Sequence, residues 1–183
     1  MLIKAKEIKG YKLNALEGEM GSVKEFYFDD KFWTVRYLVA DTGGWLTGRQ
    51  VLISPYALNL VNKEEKLINI NLTKKQIEES PLLDSDKPVS RQFEMEYYGY
   101  YKSPLYWGGV QFWGNYPQIE REKDKWKEDP NEKKSSDPHL RSTFDVSGHH
   151  IQASDGEIGH VDDFIIDDLN WAIRYLIVDT KNW

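Results

Sequence analysis

The sequence predicts a mainly β protein built from two small antiparallel barrels, the second of them incomplete, joined by a short helical, aromatic-rich segment. Two observations carry this prediction. The chain contains one stretch twice, with the copies 138 residues apart, and such self-similarity indicates a duplicated structural unit. Within each copy, short segments of alternating apolar residues are separated by turns rich in glycine and aspartate, a pattern typical of bent antiparallel sheets.

The duplicated stretch covers residues 13–45 and 151–183 without a gap. Of its 33 positions, 15 are identical between the copies, whereas ordinary composition would give about two. The repeated residues that we expect to serve turns or the core are Gly18, Gly21, Trp33, Arg36 and Asp41, with Gly156, Gly159, Trp171, Arg174 and Asp179 in the second copy. Their recurrence favours a geometric role over a chemical one.

The composition narrows the classes of protein to which the chain can belong. Its 183 residues are 40% hydrophobic and 14% aromatic, as in a globular protein with well-packed cores. Cysteine is absent, which excludes disulfides, thiolate metal sites and a cysteine nucleophile. The net charge of −6 disfavours broad binding to nucleic acid. Because the sequence shows neither an apolar run of about 18 residues nor a secretory signal, we expect a cytoplasmic protein without a membrane span.

The first copy begins as a strand and a tight turn. Apolar residues alternate from 11 to 15, and a second strand begins after a turn at residues 17–19. We expect Gly18 to adopt a positive φ in this turn. We also expect Gly21 to permit either a close approach of another backbone or a β-bulge, because it carries no Cβ.

A hairpin follows, in which Asp29 and Asp30 start the turn and residues 33–41 form the returning strand. Strict alternation places two sets of side chains on opposite faces of this strand. These sets are Trp33, Val35, Tyr37 and Val39 on one face, and Thr34, Arg36, Leu38 and Ala40 on the other. Both faces are largely apolar, as in a barrel strand that is covered on its outer side.

The remainder of the first copy completes a small barrel. Residues 45–53 predict a fourth strand that ends before Pro55, and residues 66–72 predict a fifth. Thr73 and Gln76 have the spacing of a capping box, so a short helix should run from Thr73 to about Ser80. Five to six short strands within about 60 residues describe a bent antiparallel barrel.

These segments together resemble a known family. The stretches GEMGSVKEFYFDD, WTVRYLVADT and GGWLTGRQVLISP, followed by TKKQIEESPLL, are similar to the PRC-barrel domain. That module occurs in the photosynthetic reaction-centre H subunit and in ribosome maturation factors. The resemblance covers residues 4–83 in full and 150–183 in part. It implies a small β-barrel used in protein assembly, and in RNA-processing particles for some members, and it implies no catalytic residues.

The chain therefore divides into a first barrel at residues 1–83, a connecting segment at 84–138 and a second barrel repeat at 139–183. The second repeat is incomplete, since its fourth and fifth strands would fall at 184–210. Our first expectation is that the chain is cut short of a longer protein. Alternatively, the half-barrel pairs with another chain or with the first barrel, and a homodimer would cover its open edge if the protein ends here.

The connecting segment begins with a predicted helix and continues as an aromatic strap. Ser90 can cap a helix in which Phe93, Tyr97 and Tyr100 or Tyr101 share a face. Nine of the 20 residues from 97 to 116 are aromatic, and a charged linker follows at 117–138. Clustered aromatic residues most commonly pack on a barrel, although exposed ones form interface hot spots or stacking surfaces. Our candidate partner contacts are Tyr97, Tyr101, Trp107 and Trp113.

Other residues could suggest chemistry, but each has a more ordinary interpretation. The histidines at positions 139, 149, 150 and 160 match no metal-ligand spacing, so we expect surface or turn residues, with no metal or cofactor. The Asp29–Asp30 pair, like its repeat at 167–168, is better suited to capping a hairpin turn than to general acid–base catalysis.

The repeated arginines are candidates for ion pairs. We predict that Arg36 pairs with Asp41 and Arg174 with Asp179, either as structural salt bridges or as contacts to a partner, with the structural role favoured. Nucleophilic and nucleotide-binding sites have no support, since Ser54 lacks a nucleophile elbow and the Gly108–Gly109 region lacks a phosphate-loop pattern.

The sequence thus predicts a non-enzymatic interaction or assembly module that binds a protein partner, with a homodimer favoured. The alternative is an RNA- or ribosome-associated maturation factor, which a salt-dependent affinity for RNA would reveal. An enzyme is the third possibility. It would need a concave site with perturbed titratable groups, which no spacing in this sequence predicts.

Overall fold

The computed structural model describes residues 1–46, 51–81, 89–106 and 140–180. The fold is mainly β, as predicted, and its sheet curls into a half-barrel. The strands are β1 (Leu2–Lys4), β2 (Lys12–Ala15), β3 (Gly18–Asp29), β4 (Thr34–Asp41), β5 (Val51–Ile53), β6 (Leu58–Asn62), β7 (Leu67–Ile70), β8 (Leu140–Ser142), β9 (His150–Ala153), β10 (Gly156–Asp167) and β11 (Ala172–Asp179). The helices are α1 (Ala5–Ile8), α2 (Lys74–Glu78), α3 (Arg91–Tyr101) and α4 (Thr143–Val146), with a 3-10 turn at Pro55–Ala57.

Five consecutive elements at the start of the chain recur 138 residues later with the same bounds. The pairs are β1 and β8, α1 and α4, β2 and β9, β3 and β10, and β4 and β11. The structural correspondence begins at Leu2 and Leu140, whereas the gapless sequence match begins at Leu13. The structural unit is therefore longer than the sequence comparison indicated.

The described strands of both copies belong to one sheet, with the order β1-β10-β11-β4-β3-β2-β7-β6 along its main path. The first strand of each copy pairs with the long strand of the other copy. Leu2 lies opposite Asp167, and Leu140 lies opposite Asp29. Leu140 is the counterpart of Leu2, and Asp167 is the counterpart of Asp29, so the two pairings are equivalent. The two copies are therefore related by an internal two-fold axis, and each contributes its first strand to the other.

This two-fold relation is centred where β4 meets β11. Thr34 lies opposite Ala172, which is its own counterpart in the second copy. The Val35 N–H donates to the Trp171 carbonyl at 2.8 Å, and the counterpart of this bond measures 2.7 Å. The described strands of the second copy thus pair with those of the first copy.

One hydrophobic core contains residues of both copies. Phe28 of β3 packs against Phe164 of β10 with ring centroids 5.3 Å apart, and Phe26 packs against Trp171 at 5.9 Å. All four side chains are buried. Because large aromatic side chains dominate the free energy gained by burial, each copy depends on the other for its stability.

A β-bulge at the same position of both hairpins overturns the predicted alternation of faces. Tyr37 lies opposite Tyr27 and Val35 lies opposite Phe28, the next residue of β3. Arg36 therefore has no opposite residue in β3 and is the extra residue of the bulge in β4. Val35 therefore lies in the main core, whereas Tyr37 and Val39 lie in a separate outer cluster. The prediction that residues 33, 35, 37 and 39 share one face is wrong, because one extra residue reverses the alternation. β11 has the same bulge at Arg174.

Two glycines allow main chains to approach closely, as predicted for the first of them. A Cβ on Gly21 would lie 2.1 Å from the Asp41 carbonyl oxygen, and a Cβ on Gly159 would lie 2.1 Å from that of Asp179. Gly18 adopts a φ of +116° after the turn, also as predicted.

The helices that follow the first copy begin at the predicted caps. The Thr73 side chain accepts a hydrogen bond from the Gln76 N–H at 3.1 Å, and the Gln76 side chain accepts one from the Thr73 N–H at 2.9 Å. This capping box starts α2. The Ser90 hydroxyl accepts from the Phe93 N–H at 3.2 Å and starts α3.

Two strands differ from the prediction for residues 45–62. β5 occupies only the end of the predicted fourth strand, and residues 47–50 lie outside the described part of the chain. β6, which was not predicted, pairs with β7 and joins the sheet through it.

Candidate protein-interaction surface

The outer face of β4 is covered by α3, and the two elements form an aromatic cluster. Its buried members are Tyr37, Val39, Leu52, Val89, Phe93, Tyr97, Tyr98 and Tyr106. We call these residues the α3 cluster. The rings of Tyr37 and Tyr97 meet edge to face with centroids 5.4 Å apart, a favourable arrangement for aromatic pairs.

A buried carboxylate lies within the α3 cluster. Glu94 accepts hydrogen bonds from the hydroxyls of Tyr37 and Tyr106, both at 2.8 Å. Burial, reinforced by Tyr98 and Glu94, raises the pKa of Tyr37 well above its usual range, so this hydroxyl remains a donor at neutral pH. The Arg36 guanidinium lies 4.1 Å from the centroid of the Tyr106 ring. These polar groups satisfy one another, which favours a structural role for the carboxylate.

Tyr97, one of the predicted partner contacts, is packed inside the α3 cluster. It is 2% exposed, and its hydroxyl donates to the Leu52 carbonyl at 3.0 Å. Tyr101, another predicted contact, is half-buried and packs on Tyr97 with centroids 4.8 Å apart. Tyr97 therefore packs against the sheet, which is the more common role of clustered aromatic residues. Trp107 and Trp113 lie outside the described residues.

The first repeated arginine pairs with a different aspartate from the one predicted. Arg36 contacts Asp29 at 3.2 Å, and both side chains are buried. The predicted partner Asp41 lies five residues further along the same strand, about 16 Å away, so this prediction is wrong. Asp29 also accepts a hydrogen bond from the Lys31 N–H at 2.9 Å, as predicted for an aspartate that caps a hairpin turn.

The second arginine repeats this geometry in a more exposed setting. Arg174 contacts Asp167 at 2.9 Å, with side chains 20% and 17% exposed. The predicted pair of Arg174 with Asp179 is wrong for the same reason of distance along the strand. Burial raises the pKa of Asp167, but the hydrogen bonds from Arg174 and from the Leu169 N–H outweigh it, and the pKa lies below its ordinary value.

The face of β11 that corresponds to the covered face of β4 is exposed. Tyr175 is 59% exposed, whereas its counterpart Tyr37 is 0% exposed. Ile177 is half-buried, whereas its counterpart Val39 is fully buried. Within the described residues, the α3 cluster contains members of β4 and none of β11. An aromatic and an aliphatic side chain that are core residues in one copy are thus surface residues in the other.

Among the residues that the structure describes, β11 also has an open edge next to this face. In the first copy, β5 pairs with β4 at Leu38–Ala40. The corresponding residues Leu176–Val178 pair with β10 on one side, and no strand within residues 1–46, 51–81, 89–106 and 140–180 pairs with their other side. We call the exposed face and open edge of residues 175–178 the β11 surface.

A cleft of 530 Å³ lies between α1 and α4 and is lined by corresponding residues of both copies, among them Phe26 and Phe164. Lys6, which lines this cleft, contacts two residues of the other copy. Lys6 pairs with Asp162 at 2.5 Å, and the buried Asp163 accepts a hydrogen bond from the Lys6 N–H at 3.1 Å. Lys6 is thus already engaged by a neighbouring carboxylate.

The described ranges contain no cluster of three or more His, Asp and Glu residues that could hold a metal ion. Two of the described histidines form side-chain contacts between neighbouring strands. His150 lies 2.5 Å from Glu157, and His160 lies 4.0 Å from Asp179. Among the described helices, none has both the length and the apolar character needed to span a membrane.

A scan against protein-family models gives no match to the chain, and a search of the curated proteins gives none either. The similarity to the PRC-barrel domain therefore stays a prediction from the motifs.

Sequence analysis missed the β11 surface, although the signal was present in the sequence. Tyr175 repeats Tyr37 after 138 residues, so the two side chains should share a position in the fold. The segment that covers Tyr37, residues 89–106, lies outside the duplicated stretch. A repeated apolar residue whose cover is not repeated is a candidate for a contact surface.

Proposed function

We propose that the protein is a non-enzymatic interaction and assembly module of the PRC-barrel type, acting in the cytoplasm. On this proposal the two copies are tandem barrel units. The motifs support the type of domain. The mainly β fold with its five duplicated elements is compatible with it. The proposed partner is a protein, and a second copy of this chain is the first candidate.

One observation carries this proposal, which is that the same strand is covered in one copy and exposed in the other. Tyr37 lies beneath α3, and Tyr175 is 59% exposed beside an open strand edge. An open edge presents unsatisfied main-chain donors and acceptors to another chain. Exposed aromatic residues beside such an edge are typical of interface hot spots.

Two further features support a non-enzymatic role. The buried carboxylate of Glu94 is held by two tyrosine hydroxyls. Lys6, which lines the cleft between α1 and α4, is paired with Asp162. Catalytic sites usually direct titratable groups towards a space that a substrate can enter.

Light scattering over a concentration series tests the proposal. We expect wild-type protein to form a homodimer and Tyr175→Glu to be monomeric, because the substitution removes an aromatic side chain from the contact surface and places a negative charge there. Leu60→Glu is the matched control. Leu60 is 60% exposed, close to the value for Tyr175, but lies on β6, so this variant should dimerise like the wild type.

A wild-type protein that stays monomeric at every concentration would refute the homodimer. Equal loss of dimer in Tyr175→Glu and Leu60→Glu would show that the contact lies elsewhere. Binding of single-stranded RNA that weakens with added salt would favour the maturation-factor alternative.

A further inference from the structure

We propose that a second copy of the chain occupies the β11 surface by pairing its own β11 with this one, antiparallel and centred on Ile177. This inference rests on the proposed assembly function and specifies the surface, the register and the symmetry of the contact. The contact is isologous, because both copies contribute the same strand.

The first copy identifies which main-chain groups point out of the open edge. The Leu52 carbonyl in β5 accepts a hydrogen bond from α3 at 3.0 Å, so it faces away from β4. Main-chain groups alternate in direction along antiparallel strands, so the neighbours of Leu52 bond to β4 through Leu38 and Ala40, which lie opposite them. The counterparts in β11 are Leu176 and Val178. Their N–H and C=O groups therefore point outward.

These directions select one register. Hydrogen bonds between the two copies require that residues with outward N–H and C=O groups lie opposite each other. Leu176 of one copy therefore lies opposite Val178 of the other, and Ile177 lies opposite Ile177. A pairing centred on Leu176 would place Val178 opposite Arg174, the bulge residue, where the alternation is broken. A pairing centred on Val178 would place Leu176 opposite Thr180, which lies beyond the end of the strand.

The side chains are compatible with this register. Tyr175 and Ile177 lie on the same face of β11, so the pairing places the apolar faces of the two copies side by side and brings the two Ile177 side chains into cross-strand contact. Each Tyr175 lies opposite Asp179 of the other copy. The two Asp179 carboxylates lie at opposite ends of an antiparallel pairing, whereas a parallel pairing would place these like charges side by side.

The chain already pairs two copies of this strand about a two-fold relation. β4 and β11 are counterparts, and they meet antiparallel at Thr34 and Ala172. The two hydrogen bonds that flank this point, at 2.8 and 2.7 Å, are counterparts as well. The proposed contact repeats this mode of association further along β11 and continues the existing sheet.

The absence of cysteine makes single-cysteine cross-linking a direct test. In the proposed register the Cα atoms of the two Ile177 residues lie about 4.5 Å apart, as in a non-hydrogen-bonded pair, which a disulfide can span. Ile177→Cys protein, oxidised with copper phenanthroline, should become a covalent dimer on a non-reducing gel. Because the two thiols are held together, we expect this to occur about tenfold faster than for an unrelated surface cysteine, or faster still.

Two variants control for exposure and register. Leu60→Cys places a thiol at a similarly exposed site on β6, and it should cross-link only at the rate of random collision. Tyr175→Cys places a thiol on the β11 surface itself. In the proposed register the two cysteines at position 175 lie four residues apart along the paired strands, a distance of about 13 Å. A disulfide cannot span this distance, so the variant should stay monomeric on the gel.

Val178→Pro tests the main-chain pairing without a thiol. Proline removes the outward N–H of Val178, whereas the pairing with β10 uses the groups of its neighbours. We expect this variant to be monomeric in light scattering. Circular dichroism reports whether it folds, and the cysteine results stand independently of it.

Equal cross-linking rates for Ile177→Cys and Leu60→Cys would overturn the proposal. So would faster cross-linking of Tyr175→Cys than of Ile177→Cys, because it would show another register. If the wild type dimerises but Ile177→Cys does not cross-link, the assembly function stands and the β11 pairing falls. If the wild type is monomeric throughout, both fall. A monomer that binds a synthetic peptide of residues 46–57 at this edge would also overturn self-pairing, in favour of a foreign strand.

Discussion

Gly21 is a residue at which the hairpin leaves no room for a side chain. A Cβ there would lie 2.1 Å from the Asp41 carbonyl oxygen, and the φ of +149° disfavours any residue with a side chain. We predict that Gly21→Ala lowers the free energy of unfolding by about 2 to 4 kcal/mol, measured by urea denaturation. In the control Gly99→Ala, the new Cβ meets nothing within 4 Å. Because alanine favours the helix, stability should hold or rise by up to about 1 kcal/mol. Similar losses in both variants would contradict this account.

At the level of single residues, the sequence predicts features that recur in both copies. It does not predict features that depend on how the strands pack together. Gly21 could be predicted because it recurs as Gly159 in the same pattern. The partner of Arg36 could not, because the bulge that turns the side chain towards Asp29 arises where two twisted strands meet. Local alternation carries no signal for one extra residue.

The paired bulges form one structural element in two environments, and this allows a matched comparison. Arg36 and Asp29 are buried, whereas Arg174 and Asp167 are 20% and 17% exposed. We predict that Arg36→Ala lowers the free energy of unfolding by about 3 to 5 kcal/mol, because it leaves the Asp29 charge buried without its ion pair. Arg174→Ala should cost less than about 2 kcal/mol, since water reaches Asp167. Equal losses in urea denaturation would show that burial does not set the strength of the pair.

Helices and strands that are specified by neighbouring residues could be predicted from the sequence. Those that are held in place by residues distant in the chain could not. α2 begins at Thr73 because two reciprocal hydrogen bonds within four residues start it. β1 and α1 are only three and four residues long, too short for a periodic pattern. They are held by contacts with β10, which lies more than 150 residues away in the chain.

In the whole molecule, the duplication is the source of both the fold and the candidate interaction surface. Sequence comparison shows that two copies exist, but not that each lends its first strand to the other, because that exchange depends on contacts between distant residues. β11 repeats a strand whose cover, α3, and whose neighbour, β5, belong to the first copy within the described residues. The fold therefore reproduces one side of a core without its other side.

This interlocking predicts that the two copies unfold together. Phe26 and Phe164 are counterparts, are 1% and 0% exposed, and lie in the one core that both copies share. We expect Phe26→Ala and Phe164→Ala each to lower the free energy of unfolding by about 3 to 5 kcal/mol, with a single transition in urea. Hydrogen exchange should then quicken in β3 and β10 alike, whichever copy carries the substitution, because neither strand opens without the other. Faster exchange confined to the substituted copy, or two separate transitions, would mean that the copies are independent units and that the shared core contributes little to cooperativity.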